Sequence, residues 1–463
     1  MQVSESFRIL LEKAIGHDNM LVALSALDTP ASVSVRLNPF KKGFAPEGRM
    51  IPWSRYGRIL EHRPLFTLDP IFHAGGYYVQ DSSSMFVGHV FRSLMKDRRL
   101  PEGRPLRVLD LCAAPGGKTT DLAASLREIC GDRFLLVANE VMKSRVGVLA
   151  DNVAVWGDPN VMVTSDDPAA FASLEGFFDV IVADVPCSGE GMFRKDEQAR
   201  MQWSEDNVAL CQARQRRIIA DVWPALATDG VLIYSTCTFN RNENDSNVEW
   251  IAENLNGKYL LPSEGLEDYD GVIRTDRGYS LVPGLVEGEG QYCSALVKAQ
   301  SDGQNVGFAR RERTAGKGKE SCVPCGVREM LSTDVELRWK GEVLTAVPKG
   351  IYPHVALAES VLHVVAAGCA LGTVKGKDFI PDADLALSLI LEADAFVAVD
   401  VDLDTALAFL HRDAIVLADA QKGFLLVRYE GLPLGFVKNL GNRCNNLHPQ
   451  GRRIRMDVKR RET

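Results

Sequence analysis

The sequence predicts an α/β protein built on a doubly wound parallel sheet, flanked by a smaller α+β segment before it and a small α+β domain after it. Three observations carry this. Apolar strand-like runs alternate with helical stretches from 107 to 235, the pattern of a parallel sheet covered on both faces. The first strand ends in a turn of small residues, Cys112-Ala113-Ala114-Pro115-Gly116-Gly117-Lys118, and several later strands end in acids. A chain of 463 residues is also too long for one ordinary domain. The divisions read from composition are 1–100, 101–300, a linker at 301–327, and 328–463.

Bulk composition excludes several classes. Hydrophobic content of 46% with 25% charged residues is that of a globular protein. There is no run of 18 uncharged apolar residues, so no membrane span is expected. The start, MQVSESFRILLEKAIG, is an amphipathic pattern with acids and no cleavage site, so it reads as a docked helix and not a leader. Ten scattered cysteines suit reduced thiols in the cytoplasm. Cys322 and Cys325 form a lone CxxC without further ligands, so no metal is expected there. Net charge is −8, which excludes a uniform nucleic-acid coat, but charge is unevenly spread. Asp382 to Asp404 carries seven acids and no base, whereas Lys438 to Thr463 carries eight Lys or Arg, among them Lys459, Arg460 and Arg461.

Along the chain, Phe7, Leu10, Leu11 and Ile15 share one helical face. Ser32–Asn38 alternates as a strand and stops at Pro39, with Arg36, Lys41 and Lys42 clustered. Tyr77 and Tyr78 are placed either to stack on bases or to pack against the next domain. The polar run to Ser84 caps a helix from Met85. Arg107–Leu111 is the first strand of the sheet. Its turn is not a Walker loop, because position 112 is Cys where a glycine is needed, and a helix follows from Thr119 to about Glu128. Phe134–Ala138 is the next strand and ends at Asn139-Glu140, where such folds hold ribose hydroxyls. Val161–Ser165 ends at Asp166 and Asp167. One of these is placed to accept from an adenine amine, the other to cap a helix over 168–174. A long helix is predicted from Asp206 to Ala227, kinked at Pro224 and closed by Asp229-Gly230. Residues 280–299 form a hairpin. Beyond the linker, 328–463 reads as a separate module, with strands at 335–339, 396–401 and 424–429 and helices at 385–391 and 404–411.

Two further strand ends carry thiols. Phe178–Ala183 delivers Asp184-Val185-Pro186-Cys187-Ser188-Gly189, and Val231–Tyr234 delivers Ser235-Thr236-Cys237. A buried cysteine is ordinarily a small hydrophobe. Two of them just past strand ends, one beside an acid, instead stand where an open α/β sheet binds its ligand.

Together these motifs resemble the Nol–Nop–Sun family of RNA (cytosine-5) methyltransferases: VQDSSSM at 79–85, DLCAAPGGKTT at 110–120, ANE at 138–140, DVPCSGEGMFRK at 184–195 and YSTCTFNRNEN at 234–244. PLGFVKN at 433–439 with NNLHPQGRRIR at 445–455 is similar to the accessory domain of the branch that modifies bacterial ribosomal RNA. The resemblance implies a Rossmann-like S-adenosylmethionine-dependent methyltransferase core at 101–300, an N-terminal RNA-docking segment and a PUA-like C-terminal domain. It implies S-adenosylmethionine as cofactor, held by Cys112 to Lys118, Glu140 on the ribose, Asp166 near adenine and Asp184 beside the methionine end. It implies Cys237 as nucleophile and Cys187 as the thiol assisting product release. The expected partner is RNA, either ribosomal RNA or the small subunit; no membrane partner is expected, and a monomer is. A tRNA or DNA cytosine methyltransferase and a non-catalytic ribosome-assembly protein remain alternatives. The chain departs from the family at Val185, at Pro283-Gly284, and at Gln291-Tyr292, where two Phe are frequent.

The chemistry explains the residue types. Carbon 5 of cytosine is a weak nucleophile, and thiolate addition to carbon 6 turns the ring into an enamine. That step needs an acidic group at nitrogen 3 and the amine, for which Asp184 is the best-placed carboxylate; Glu190 lies further out. A second sulfur assists release. The base must be unstacked to reach the pocket. Arg194 and Lys195 are placed either to hold phosphate or to form a surface ion pair.

Overall fold

The computed structural model describes residues 3–41, 46–96, 98–260, 269–300 and 323–457. Lys42, Cys322, most of the linker, and Lys459, Arg460 and Arg461 lie outside the described residues.

The core is a ten-stranded mixed sheet. Five strands are parallel: β1 (Leu106–Asp110), β2 (Phe134–Asn139), β3 (Val161–Thr164), β4 (Phe178–Asp184) and β5 (Leu226–Thr236). β6 (Gln291–Lys298) runs antiparallel beside β5. Their spatial order is β6-β5-β4-β1-β2-β3. Chain order therefore reverses between β1 and β4, and the crevice past their carboxyl ends is the switch point where such sheets bind ligands. The turn 112–118 and the loop after Asp184 both open there. The strands are near-continuous apolar runs, as strands covered on both faces must be. Helix α1 (Gly117–Cys130) follows β1, α2 (Lys143–Trp156) follows β2, and α3 (Glu205–Val222) leads into β5.

Two sequence expectations need correction here. The helix expected through Ala227 ends at Val222, and Trp223–Ala225 is a 3-10 turn. Pro224 has no N–H to continue the ladder. Leu226 already belongs to β5, where Asp229 takes a positive φ of 60° beside an irregular register. The helix expected at 168–174 is a 3-10 segment, capped by Asp167 through a hydrogen bond from Ala169 N.

The N-terminal segment places the helix Glu5–Ile15 and a four-stranded sheet against the core. Phe7, Leu11 and Ile15 are buried against Phe193, Trp203 and Phe239. The C-terminal region is not one detached module. It holds two four-stranded sheets, and between their strands a short β7 (Val364–Ala367) joins the central sheet antiparallel to β3. The expected helix at 385–391 covers only Ala383–Leu387; the helix Leu403–His411 and the strands near 335, 397 and 424 are present. A helix at Tyr352–Glu359 and the strand Leu432–Asn439 were not anticipated. The acidic and basic stretches meet at Arg452, which bonds Asp384 at 2.6 Å; Arg452 also reaches Asp151 of the catalytic domain at 2.9 Å. Among the described residues no helix is long and apolar enough to cross a membrane.

Candidate active site

Parallel pairing sets Asp184 of β4 opposite Ser235 of β5. The chain leaves both strands together, and Cys187 Sγ and Cys237 Sγ end 3.2 Å apart. The two loops are tied to each other next to the sulfurs. Ser188 Oγ lies 3.0 Å from Thr238 Oγ1. The Glu190 carboxylate accepts from the backbone N–H groups of Phe239 and Asn240 at 2.6 and 3.0 Å, and from Asn240 Nδ2 and Trp203 Nε1 at 2.8 and 2.9 Å. Glu243 accepts from Ser188 N at 3.0 Å, Gln215 Nε2 at 2.7 Å and Asn240 Nδ2 at 2.8 Å; burial raises its carboxyl above the ordinary value. Glu190, Asn240 and Glu243 are thus the supports of the thiol loops. Glu190 was read only as a more distant acid, and the other two carried no assigned role; their partners lie up to 55 residues apart, beyond any local pattern. Phe7 of the N-terminal helix backs this assembly, with its ring 5.1 Å from Phe193 and 5.4 Å from Trp203.

The hydrogen bond to Cys237, followed by burial, pushes the Cys187 thiol well above its usual value. Cys187 therefore keeps its proton at neutral pH, 3.2 Å from the Cys237 sulfur.

Asp184 sits beside them. Burial alone would raise its carboxyl, but Lys118 Nζ at 2.9 Å and hydrogen bonds from Ser235 Oγ and Gln291 Nε2 together hold it below the usual carboxylate range. Lys118 is raised in return: Asp184 outweighs the opposing effect of burial. The pair enters as carboxylate and ammonium, so Asp184 accepts hydrogen bonds and does not start as a proton donor. Gln291 is 1% exposed, and its Nε2 also donates to Ser235 Oγ at 3.0 Å and Thr236 O at 2.9 Å. The departure from two Phe at 291–292 thus places an amide on the acid.

The glycine turn closes the other wall. Gly116 takes φ +115°, a conformation that an L side chain rarely adopts, and α1 starts at Gly117 with its positive end toward the crevice. Arg36, 1% exposed, donates through Nη2 to Thr120 Oγ1 and to Gly117 O at 3.2 Å. Asn152 Nδ2 donates to Pro115 O at 2.8 Å, and Arg145 donates to Ala114 O. Burial, then the nearby acids Asp184, Asp110 and Glu140, raise the Cys112 thiol. Asn139 at the end of β2 is a hub: Nδ2 donates to Leu111 O and Asp166 O, and Oδ1 accepts from Thr164 Oγ1 and Asp166 N. Glu140 follows, with Oε1 accepting from Met142 N at 2.8 Å. With Asp167 spent on its cap, Asp166 is the acid left beside this rim.

The basic and aromatic residues singled out earlier are mostly committed elsewhere. Arg194 pairs with buried Glu289 through two 2.9 Å bonds, so it is an internal ion pair and not a phosphate ligand. Lys195 Nζ lies 3.5 Å from the same acid. Lys41 Nζ donates to Ala74 O and Val155 O. Tyr77 is buried and donates to Asp69 at 2.6 Å, which excludes base stacking, and Tyr78 packs on the glycine turn.

The donor set on this wall suits a nucleoside with a zwitterionic tail. Glu140 offers a carboxylate to a diol, Asp166 one to an exocyclic amine, and the Asp184–Lys118 pair complements an ammonium and a carboxylate. Val141, 53% exposed beside Glu140, offers an apolar face to a flat ring. These groups fit S-adenosylmethionine.

Comparison with known proteins agrees. The family profile for the 16S rRNA methyltransferase RsmB/F matches residues 101–297, that for the RsmF N-terminal domain 5–82, and that for the RsmF PUA domain 396–454. The chain is 30% identical over 456 residues to the ribosomal RNA small subunit methyltransferase F of Salmonella agona, covering 92% of this chain and 91% of the relative. It is 29% identical over 432 residues to the protein of the same name from an Enterobacter species, covering 89% and 85%. A solved methyltransferase homologue from Pyrococcus horikoshii superposes with a TM-score of 0.50 at 24% identity, over 64% of this chain and 95% of that one, and shares the fold.

Proposed function

The chain belongs to the RsmB/F family of 16S rRNA methyltransferases, and from that premise we propose that it methylates carbon 5 of a cytosine in small-subunit ribosomal RNA through a covalent Cys237–cytosine intermediate. The observation that carries this reading is the pair of sulfurs 3.2 Å apart at the switch point, beside an ionised aspartate. An N- or O-methyltransferase has no need of a nucleophile aimed at the ring.

S-adenosylmethionine, bound along Cys112, Ala113, Ala114, Pro115, Gly116, Gly117 and Lys118 with Glu140, Asp166 and Asp184, supplies an electrophilic methyl group. The protein's own residues do the rest. Cys237 adds as thiolate to carbon 6, and the negative charge pushed into the ring is met by a proton at nitrogen 3. Asp184 accepts from the exocyclic amine, and the Lys118 ammonium, 2.9 Å from it, keeps a proton within one hydrogen bond of the ring. Once carbon 5 carries the methyl group, its proton passes to a water-borne base, the C–H electron pair re-forms the 5,6 double bond, and the carbon 6–sulfur bond breaks so that Cys237 departs as thiolate. Cys187, protonated and 3.2 Å from Cys237, assists by donating its S–H toward the departing thiolate. General acid–base assistance of this kind contributes roughly 10²–10⁴-fold. Glu190, Asn240 and Glu243 keep the two sulfurs in register throughout.

The target cytosine must be unstacked to enter the cleft. The segment 1–100 and the region 328–463 are assigned to holding the RNA, the latter through its PUA domain. Free thiols require a reducing compartment, which points to the cytoplasm, and one chain contains every residue invoked, which suits a monomer.

The test is methyl transfer from radiolabelled S-adenosylmethionine to 16S rRNA and to small subunits isolated from a strain lacking the gene, followed by bisulfite mapping. The reading predicts one protected cytosine that depends on Cys237. Incorporation at a nitrogen or oxygen, or normal transfer by Cys237→Ser, contradicts it.

A further inference from the structure

The acid assigned to the adenine is not held by the catalytic sheet alone. β7 enters the central sheet from the C-terminal region, pairing Val364 with Thr164, Ala366 with Val163 and Ala367 with Met162. At the end of this ladder Ser165 N donates to His363 O at 3.0 Å. The N–H of His363 donates in turn to Asp166 Oδ2 at 2.9 Å. The backbone of Asp166 is fixed from the opposite side, where Asn139 accepts from its N and donates to its O, both at 3.0 Å. Asp166 Oδ1 has no hydrogen-bond partner among the described residues. The attachment is a packed one: Leu362 and Ala367 are 6% and 8% exposed and share a core cluster with Leu135, Val137 and Met162 of the sheet. All of β7 lies beyond residues 101–297, the span matched by the catalytic family profile.

We propose that the accessory region completes the cofactor site, with the backbone N–H of His363 acting as a positioning group that pins one oxygen of Asp166 and turns the other toward the adenine amine. The proposal rests on the assignment of Asp166 to adenine made above. A carboxylate on a short side chain at a strand end rotates freely unless one oxygen is tied down. Tying it to backbone, and not to a mobile side chain, removes that freedom before the ligand arrives, so less ordering is left for binding to cost. The region that carries the RNA-binding domain is thereby joined to the donor site by a two-point backbone contact.

The experiment compares the full chain with three variants by steady-state kinetics, using S-adenosylmethionine and its hypoxanthine counterpart, S-inosylmethionine, which lacks the amine. His363→Pro removes the N–H and His363→Ala keeps it. The expected result for His363→Pro is a KM for S-adenosylmethionine raised on the order of tenfold, a reduced preference for the adenosyl over the inosyl donor, and an unchanged KM for RNA. His363→Ala retains the parent values. Asp166→Asn reports on the underlying assignment: if it leaves KM and donor preference unchanged, Asp166 does not meet adenine and that reading falls. If Asp166→Asn alters both while folded His363→Pro alters neither, the assignment stands and the positioning role is overturned. Should His363→Pro fail to fold, hydrogen exchange on the parent protein decides. The His363 amide is expected to exchange several-fold more slowly with saturating S-adenosylhomocysteine, and an unchanged rate overturns the proposal.

Discussion

Around the two sulfurs, the polar supports come from the catalytic loops themselves: Ser188 meets Thr238, Glu190 holds the N–H groups of 239 and 240, and Glu243 holds that of 188. Around the glycine turn and Asp166, key supports come from outside the catalytic domain. Arg36 reaches in from the N-terminal sheet and His363 from the C-terminal region. The difference divides the labour. The hydrogen bonds that set the geometry at the thiols lie within one closely tied pair of loops, to which the N-terminal helix adds the apolar backing of Phe7. The grip on the donor is shared with those regions, to which the proposed function assigns the RNA.

Breaking the thiol side is expected to have the largest effect. Cys237→Ser should lower kcat by at least about 10³-fold, since no other group adds to carbon 6, while the KM for S-adenosylmethionine stays within twofold of the parent. The next effect falls on stability. Glu190→Ala leaves the N–H groups of Phe239 and Asn240 and the indole of Trp203 without their acceptor in a buried site. A loss of about 1–3 kcal/mol in urea unfolding is expected, together with lost turnover. On the cofactor side the effect is smaller and of another kind. Arg36→Met frees Gly117 O and Thr120 and should raise the KM for S-adenosylmethionine several-fold, with adduct formation at Cys237 preserved when the donor is saturating. A large kcat loss instead would erase the division between the two sides.

The mildest change tests electrostatics where the sides meet. The Asp184 carboxyl lies below its ordinary value, so activity that needs it ionised is present above that pKa and lost as pH falls through it. Gln291→Ala removes one of the hydrogen bonds that lower it. The acid limb of kcat against pH should shift upward, by about half a unit to one unit for a single hydrogen bond. A downward shift contradicts the assignment.

Much of this site was legible from the chain because it is written in short local motifs. A strand followed at once by CAAPGGK, by DVPCSGEG or by STCTF places its reactive groups by pleat and turn alone, and those motifs do converge at the switch point. What stayed hidden depends on partners distant in sequence. Gln291 stood out as a departure from two Phe, but nothing local says that its amide lies on Asp184, 107 residues away. Glu243 and Asn240 are polar residues in a polar run until the loops are brought together. The helix past Pro224 was overextended because the apolar spacing continues, while the missing N–H of proline decides the end. Residues 328–463 read as a separate module because Val364–Ala367 carries no mark that its partner is a strand some 200 residues earlier. Tyr77 and Arg194 were open to RNA-binding readings because exposure cannot be seen in sequence; both are buried and paired.

The central claim is a transient bond between Cys237 and the pyrimidine, released with the help of Cys187. It is tested most directly by incubating Cys187→Ala with undermodified 16S rRNA and S-adenosylmethionine, then resolving protein and RNA on a denaturing gel. The account predicts a retarded covalent protein–RNA band that disappears in the Cys187→Ala/Cys237→Ser double variant. A band that persists in the double variant, or one that appears with Cys237→Ser alone, would place the nucleophile elsewhere and contradict it.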